Sequence, residues 1–349
     1  MSIATKLTSS ATVGFDISAP LPGADFGARV RLSGAGGAAD LIAAAERAPA
    51  ALPAIQAEAR GLLLLPGMDA MTADPSLLVR LSRIFGPEVE NYRETLMAPN
   101  MVHPDVPEIL VVSNAPPVNR APPKRPEPPV AADGSLPTRY PHRRGWHTDQ
   151  SYRRPPPDIS LFLAVDPVRP GQGQTLFADG AAAYDALPPA LKARVDDLEG
   201  LHVGLGAERS RDEMLAGHTP RALDPRERPQ RQPVARVHPV TGRRALYLCE
   251  NRQMDWFEGP FVGLPPGPHG DAAALLDALM SHLTRREFVY VHDWTAGDLL
   301  IWDNRCLAHT ATWFDAATQA RVMWRTTVSG NPGPLYAGQK KSWLREPVA

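Results

Sequence analysis

The segment "RRGWHTDQSYRR" (residues 143–154) carries residue types that can bind a metal ion. It places the imidazole of His147 two positions before the carboxylate of Asp149, among arginines and an indole. Residues i and i+2 of an extended strand point to the same face, so both side chains could reach one point. The pair is either two thirds of a metal site or an ordinary polar pair, and the spacing alone does not choose between these readings.

A third candidate ligand, His309, lies in "WDNRCLAHTAT" (residues 302–312), a run whose pattern predicts a strand. Two histidines and one carboxylate on one side of a metal leave adjacent coordination positions open. Non-haem Fe(II) enzymes use this arrangement to admit a chelating co-substrate and O₂. A histidine among apolar neighbours is also typical of a hydrogen-bonded core residue, so that alternative stays open.

Two arginines follow His309 in "ARVMWRTTVSG" (residues 320–330), at Arg321 and Arg325. The period of two along a strand places both on one face. A buried arginine is costly unless it meets an anion, and its planar fork matches a carboxylate. A dicarboxylate co-substrate could therefore chelate the metal at one end and meet an arginine at the other. A buried ion pair with an Asp or Glu of the chain is the alternative.

The hydrophobic pattern predicts a mainly β fold with flanking helices, built as a barrel or sandwich. The clearest helix is "GDAAALLDALMSHLTR" (residues 270–285), and residues 234–248 read as a hairpin. Strands are predicted within residues 61–67, 108–114, 158–166, 175–179, 288–294, 297–304, 306–312 and 320–330.

A proline-rich segment, residues 115–141, interrupts this pattern and leads directly into the His147 segment. It has no hydrophobic period and cannot be a core element. A linker between domains is one interpretation. Long segments of this kind inside compact domains are usually functional or disordered, so we predict a lid over the site.

Composition narrows the function classes. The 349 residues carry a formal net charge of −1, which gives no general attraction to nucleic acid or to anionic membranes. The arginine-rich run at residues 226–236 is expected to be a solvated surface loop. The cysteines, Cys249 and Cys306, lie in apolar runs and are expected to be buried thiols. The first twenty residues contain no continuous apolar stretch, so neither a secretion signal nor a membrane span is expected, and we predict a cytoplasmic protein.

Five blocks of sequence resemble the Fe(II)- and 2-oxoglutarate-dependent dioxygenases of the taurine dioxygenase (TauD/TfdA) family. They are "WHTDQSY", "GQTLFAD", "RVHPVTGRRALY", "GDLLIWDNRCLAHTA" and "RVMWRTTVSG", in the family's order and at about its spacing. The resemblance covers roughly residues 55–330. It implies a double-stranded β-helix, or jelly-roll, in a single dioxygenase domain over residues 1–349. Residues 1–50 would then form an N-terminal extension with helices.

The resemblance also implies roles for individual residues. His147, Asp149 and His309 match the iron ligands. Thr175 and Arg321 match the residues that hold the distal carboxylate of 2-oxoglutarate. Arg325 matches a second arginine that faces the metal pocket and can meet an anionic substrate, and the two arginines could exchange roles. Trp302, counted with the cofactor-binding residues, and Asn304 match positions that shape the iron pocket.

The reaction implied by the resemblance uses Fe(II), 2-oxoglutarate and O₂. It oxidises an unactivated C–H bond of a small organic substrate and releases succinate and CO₂. Hydroxylation, desaturation, cyclisation and fragment release are all possible outcomes. The alternatives are a zinc hydrolase with the same ligand set and a catalytically silent jelly-roll that binds a metabolite. The family often forms dimers, so a homodimer is a further expectation.

Substrate contacts are expected after the "FG" of "FGPEVENYRETLM" (residues 85–97) and just before His147. The family's sulfonate-binding histidine is absent from this stretch, so taurine is not the expected substrate. The candidate substrate contacts are Glu90, Asn91, Tyr92, Arg93 and Arg143.

Overall fold

A computed structural model of the chain provides the fold. It describes residues 14–96, 98–123, 145–204, 213, 215–219, 221–223, 227–250, 253–254, 259–265, 267, 269–329, 334–339 and 341–343. The strands are β1 (Phe15–Ser18), β2 (Ala28–Leu32), β3 (Leu62–Leu65), β4 (Glu88–Val89), β5 (Leu110–Ser113), β6 (Ile159–Asp166), β7 (Thr175–Asp179), β8 (Glu199–His202), β9 (Gln230–Pro233), β10 (Ala235–Val237), β11 (Arg244–Leu246), β12 (Val289–His292), β13 (Leu299–Asp303), β14 (Leu307–Ala311) and β15 (Val322–Ser329). The helices are α1 (Ala38–Arg47), α2 (Ala51–Glu58), α3 (Ala70–Ala73), α4 (Ser76–Phe85), α5 (Tyr92–Thr95), α6 (Gly180–Asp185), α7 (Pro189–Val195) and α8 (Asp271–Leu283).

Two β-sheets, made mostly of antiparallel strands, form the framework of the fold. The larger has the order β1-β2-β3-β13-β6-β15-β4, and β5 also pairs with β15. The smaller has the order β12-β7-β14. Each predicted strand run contains a strand, and the predicted hairpin and helix correspond to β10–β11 and α8. The N-terminal strands β1 and β2 extend the larger sheet, because β2 pairs in parallel with β3.

Alternation along the strands sorts the side chains into layers. Leu63 of β3 and Leu161 of β6 face outward and pack with the apolar faces of α1, α2 and α4. Their neighbours Leu62 and Phe162 face inward, where they meet Phe177 of the smaller sheet. The other face of the smaller sheet packs against α6 and α8. Inward positions at the end of this central layer are therefore the ones that can line a site between the sheets.

The arginine-rich run is not the solvated loop that its composition suggested. Residues 230–233 and 235–237 form β9 and β10, and Gln232 and Arg236 are buried. The period-two alternation turns these side chains inward against neighbouring aromatic rings, which composition alone does not reveal. Cys249 and Cys306 are buried free thiols, as expected.

Parts of the sequence predictions lie outside the described residues. Residues 124–141 of the predicted lid and the candidate contact Arg143 belong to this group, so the lid stays a prediction. The division into an N-terminal extension and a jelly-roll core also stays a prediction. Across the portion of the chain that the structure describes, no helix has the length and apolar character needed to span a membrane.

Candidate metal centre

Backbone pairing brings the two candidate histidine ligands together. The His147 amide donates to the His309 carbonyl at 2.9 Å, and the His309 amide donates back to the His147 carbonyl at 2.8 Å. These residues form an isolated antiparallel bridge at the edge of the smaller sheet. Side chains of directly paired residues lie on the same face, and the two imidazole rings are 4.3 Å apart between centroids.

Asp149 reaches the same point from a turn rather than from a strand. Among the described residues of the segment, only His147 is in extended pairing, so the spacing of an extended strand does not explain how Asp149 approaches the histidines. The side chain of Asn304 holds the turn instead, since its Oδ1 accepts the Asp149 amide at 3.0 Å. The same oxygen accepts the Trp302 indole N–H at 2.9 Å. A side-chain anchor therefore replaces the missing strand hydrogen bonds.

The carboxylate of Asp149 is held in one orientation. Ser160 donates its hydroxyl proton to Oδ2 at 2.7 Å, and Asn304 donates to the Ser160 oxygen at 2.9 Å. This leaves Oδ1 facing the histidines, 3.9 Å from His147 Nε2 and 3.8 Å from His309 Nε2. Ser160 was not among the sequence candidates; it occupies an inward position on β6.

The protonation states suit metal ligation. His147 Nδ1 lies 2.8 Å from the Gly145 carbonyl, which places the proton on Nδ1 and leaves Nε2 free to bind. Burial, assisted by His147, lowers the pKa of His309 to about 3, and burial also lowers the pKa of His147. Burial alone would raise the pKa of Asp149, but Arg325 and the two imidazoles hold it well below its usual value. At neutral pH the site therefore presents two neutral imidazoles and one carboxylate.

This donor set fits a divalent transition metal. His147, Asp149 and His309 each offer one ligand atom, and these atoms all lie within 4.8 Å of one another. One face of an ion would be covered by nitrogen, nitrogen and oxygen, with the remaining positions open to other ligands. Arg325 Nη1 also donates to Asp149 Oδ1, at 2.7 Å, so a cation already borders this site. Although burial opposes it, Asp149 and then Tyr92 raise the pKa of Arg325 above its ordinary value.

Arg321 lies just before β15, at the other end of the central layer. It is 7% exposed, and its Nη2 donates to the Gly173 carbonyl at 3.2 Å. Its Nε has no partner, and within the described ranges no carboxylate lies within the 4.0 Å of a salt bridge. Burial, and after it the nearby Arg120, lowers the pKa of Arg321 to about 10. Arg321 is thus a buried cation without an anion of the described chain.

Thr175 begins β7, two residues after the carbonyl that Arg321 contacts. Its buried hydroxyl accepts the Trp294 indole N–H at 3.0 Å, so the hydroxyl proton can point elsewhere. Gly173 has a φ of +57°, and a Cβ there would come within 3.3 Å of Arg321 Nε. Glycine at this position lets the backbone approach the guanidinium closely.

The indole of Trp302 forms a wall of the centre. Its ring lies 4.8 Å from that of His309 and 5.4 Å from that of Phe177, between centroids. With its N–H bound to Asn304, Trp302 links the packing of one histidine to the anchor of Asp149.

Three of the expected substrate contacts form hydrogen bonds with other residues of the chain. Asn91 caps α5 by accepting the Arg93 amide, and its own amide donates to Glu94. Glu90 is engaged by Arg153 at 2.7 Å and by Gln150 at 2.8 Å. Arg93 is exposed and donates to the Pro104 carbonyl.

Tyr92 is the candidate substrate contact that borders the centre. It is fully enclosed, its hydroxyl lies 2.6 Å from the Thr327 hydroxyl, and it also interacts with Arg325. Burial raises the pKa of Tyr92 to about 12, so it stays a neutral phenol. Its hydroxyl can thus support the position of Arg325 without adding charge.

Arg120 is a further cation that the sequence analysis missed. It follows Asn119, which has a φ of +51°, and its amide donates to the Ser113 carbonyl at 2.8 Å. This turn leads off β5, which pairs with the Arg325 strand. Arg120 is exposed, yet it is close enough to affect the pKa values of both His147 and Arg321. Arg120 lies within a proline- and arginine-rich segment, where no sequence pattern distinguishes it from its neighbours.

A second cluster, His238, Asp303 and Cys306, also brings possible ligand atoms within 4.8 Å. The amides of Val240 and Thr241 both donate to His238 Nδ1, so the proton is on Nε2, which donates to Asp303 at 2.9 Å. Arg305 binds both oxygens of the same carboxylate. Neither imidazole nitrogen has a free lone pair, so this cluster is a closed hydrogen-bond network.

Known proteins share this architecture. A solved structure described as AAD-2 in complex with Mn(II) and N-oxalylglycine superposes with a TM-score of 0.62 at 25% identity, covering 91% of this chain and 98% of that one. Neighbours of this type have the cupin-like jelly-roll fold, which confirms the predicted fold class.

Curated relatives agree. An alpha-ketoglutarate-dependent sulfate ester dioxygenase from Pseudomonas putida is 31% identical over 84% of this chain and 92% of its own length. An (S)-phenoxypropionate/alpha-ketoglutarate-dioxygenase from Sphingobium herbicidovorans is 36% identical over 54% of this chain, and the match spans 63% of that relative's length. The profile described as "Taurine catabolism dioxygenase TauD, TfdA family" matches residues 20–327. The two histidines paired across a sheet edge, the carboxylate beside them and the jelly-roll that holds them thus lie in a chain that belongs to the TauD/TfdA dioxygenase family.

Proposed function

We propose that the protein is an Fe(II)- and 2-oxoglutarate-dependent dioxygenase that oxidises an unactivated C–H bond of a small anionic molecule. The observation that carries the proposal is the pairing of a two-histidine, one-carboxylate centre with a buried arginine that has no carboxylate partner in the described chain. A dicarboxylate co-substrate connects these two features. When bound, iron with 2-oxoglutarate and O₂ supplies the oxidising power, and succinate and CO₂ are the co-products.

The chain's own residues hold and orient these groups. His147 and His309 offer Nε2, and Asp149 offers Oδ1 while Ser160 and Arg325 restrain its carboxylate. Arg321 would bind the distal carboxylate of 2-oxoglutarate through its guanidinium, and the Thr175 hydroxyl would donate to the same group. The aromatic side chains of the central layer exclude water from this space.

The positive charge of the arginines near the candidate metal centre supports an anionic substrate. Arg120 and Arg325 act electrostatically on Asp149 and His147, Arg321 acts on Arg120, and Asp149 is bound directly to Arg325. Adding a divalent ion and subtracting the two charges of 2-oxoglutarate leaves a positive excess. We infer that Arg325 and Arg120 bind the carboxylate, sulfonate or sulfate of the substrate, with Tyr92 supporting Arg325. Arg143, outside the described residues, stays a prediction in this role.

The two alternatives from the sequence have less support. A zinc hydrolase would have no use for a buried arginine and threonine placed to hold a second carboxylate, and the curated relatives give it no support. A silent metabolite-binding jelly-roll would have no need to retain the complete ligand set. A zinc hydrolase also leaves unexplained the buried guanidinium of Arg321, which has no carboxylate partner in the described chain.

The test is a screen for substrate-triggered succinate formation. The purified protein would be incubated with Fe(II), 2-oxoglutarate, O₂ and small organic carboxylates, sulfonates and sulfate esters, with neutral amides of the same skeletons as matched controls. We expect succinate above the uncoupled background with anionic members alone, and none with the His309→Ala variant. Equal stimulation by the neutral amides would refute the substrate class, and succinate formation that persists in His309→Ala would refute the metal centre.

A homodimer and a cytoplasmic location also remain proposals. Light scattering coupled to size-exclusion chromatography tests the first, since a dimer has twice the mass of the 37.8 kDa chain. Fractionation of cells that produce the protein tests the second. A monomeric mass, or recovery with the membrane fraction, would contradict them.

A further inference from the structure

A second buried arginine, Arg236, lies on β10 outside the candidate metal centre. Its side chain is 1% exposed, and among the described residues neither Nη1 nor Nη2 has a hydrogen-bond acceptor. In the portion of the chain that the structure describes, no carboxylate lies within 4.0 Å of it. Asp158 lies near enough to act electrostatically on the neighbouring Tyr336.

Two tyrosine rings enclose this guanidinium. Its Cζ lies 4.8 Å from the ring centroid of Tyr247 and 5.3 Å from that of Tyr336. The Tyr336 hydroxyl donates to Gln232 Oε1 at 2.5 Å and is therefore satisfied. The Tyr247 hydroxyl is fully buried and faces Thr148, but no described residue lies in hydrogen-bond geometry with it. The guanidinium thus lies over the ring of Tyr247, and this cation and the Tyr247 hydroxyl are both buried without an acceptor among the described residues.

The nearby imidazole of His202 does not balance the charge. Ser151 donates its proton to Gln253 Oε1 at 2.8 Å and lies 2.9 Å from His202 Nδ1, so Nδ1 carries the imidazole proton. Burial, and after it Arg236, favours the neutral ring and lowers the pKa of His202 to about 3. A neutral imidazole offers no negative charge to Arg236.

Aromatic faces attract a cation weakly, but they do not accept the in-plane N–H groups of a guanidinium. A buried charge is ordinarily paired with an opposite charge and fully hydrogen-bonded. We propose that Arg236 and Tyr247 form a binding site for one small monoanion, of the size of a halide or formate. A single positive charge calls for a single negative one, and complete burial of both side chains calls for a small ion.

This site is distinct from the site proposed for 2-oxoglutarate at Arg321 and Thr175. Tyr247 faces Thr148, the residue between the candidate ligands His147 and Asp149, and His202 contacts Ser151 of the same segment. The bound anion would stabilise the support behind this segment rather than take part in its chemistry. The proposal therefore does not depend on the proposed function.

The direct test is crystallography of the wild-type protein in bromide. Crystals grown with sodium bromide in place of chloride should show one anomalous peak per chain within hydrogen-bonding distance of the Arg236 Nη atoms and the Tyr247 hydroxyl. Water alone at this position, or a carboxylate of the chain itself, would overturn the proposal.

Solution measurements add a second test. At constant ionic strength, replacing gluconate, which is too large for the site, with chloride should raise the melting temperature by about 2–4 °C in a saturable way. Tyr247→Phe removes one donor and should raise the half-saturating chloride concentration about fivefold. Tyr184→Phe, which removes a hydroxyl bound to Asp196, is the matched control and should leave the chloride response unchanged. A chloride response that is absent in wild type, or identical in Tyr247→Phe, would contradict the assignment.

Discussion

Replacing Arg321 with methionine separates a binding role from a structural one. If Arg321 binds the distal carboxylate of 2-oxoglutarate, its loss removes one partner of a buried, hydrogen-bonded charge pair. Such losses cost about 2–5 kcal/mol, which corresponds to roughly 30- to 5,000-fold in Kd. The stability of the protein without co-substrate should change little. The hydrogen bond to the Gly173 carbonyl and the contact with the Phe162 ring are lost, but a buried charge without a carboxylate partner in the described chain is removed with them.

Arg305→Met is the matched control for this variant. Arg305 is also buried, but it forms an ion pair with Asp303 at 2.6 Å. Breaking a buried pair of this kind costs about 3–5 kcal/mol of stability. Urea denaturation should therefore show a large loss for Arg305→Met and a small one for Arg321→Met.

The binding assay is anaerobic isothermal titration of the Mn(II)-loaded protein with 2-oxoglutarate. We expect Arg321→Met to bind it at least about 30-fold more weakly than wild type, and Arg321→Lys to fall between the two because it keeps the charge without the planar fork. Unchanged affinity together with a stability loss as large as that of Arg305→Met would show that Arg321 does not bind 2-oxoglutarate. Arg321 would then have a structural role, which is the alternative that the sequence pattern left open.

Three further predictions concern the ligand support, the substrate and pH. Ser160→Ala and Asn304→Ala should each weaken Co(II) binding about 10- to 100-fold in a competition titration, and unchanged affinity would contradict their positioning role. Arg325→Gln should raise the KM for an anionic substrate by more than about 30-fold and Arg120→Gln by up to about fivefold, while equal effects on a neutral analogue would argue against charge recognition. Because the pKa of His202 is lowered to about 3 from 6.5, the unfolded chain binds more protons between these values. The free energy of unfolding should therefore fall as the pH drops from about 6.5 towards 3, with His202→Gln showing a shallower fall in urea denaturation, and parallel pH profiles would contradict this assignment.

Residue type and spacing predicted much of the fold, because buried strands and amphipathic helices leave periodic signals. The runs around β6 and β13 are nearly continuous stretches of apolar residues, and these two strands pair with each other inside the larger sheet. The short strands β4, β8 and β9 were not predicted, since their residues are polar and their pairing depends on distant partners.

In the candidate metal centre, too, residue types could be predicted from the sequence, whereas long-range contacts could not. His147 and His309 were identified by type and family resemblance, but their direct backbone pairing is a long-range contact that no local pattern encodes. Ser160 had no signal because it is one small polar residue in an apolar strand, and its role depends on Asn304, which directly follows the neighbouring strand β13. Arg236 was assigned to a solvated loop because composition describes a segment and cannot report which face of a strand is enclosed.

The most direct test of the central claim is an anaerobic titration of the protein with Fe(II) and 2-oxoglutarate, followed by visible absorption. One Fe(II) per chain should bind, and a weak charge-transfer band should appear only when 2-oxoglutarate is also present. The band should vanish in His309→Ala and require much more 2-oxoglutarate in Arg321→Met. A band of undiminished intensity in His309→Ala, or no band in the wild-type protein at saturating Fe(II) and 2-oxoglutarate, would show that these residues do not form an iron and 2-oxoglutarate site.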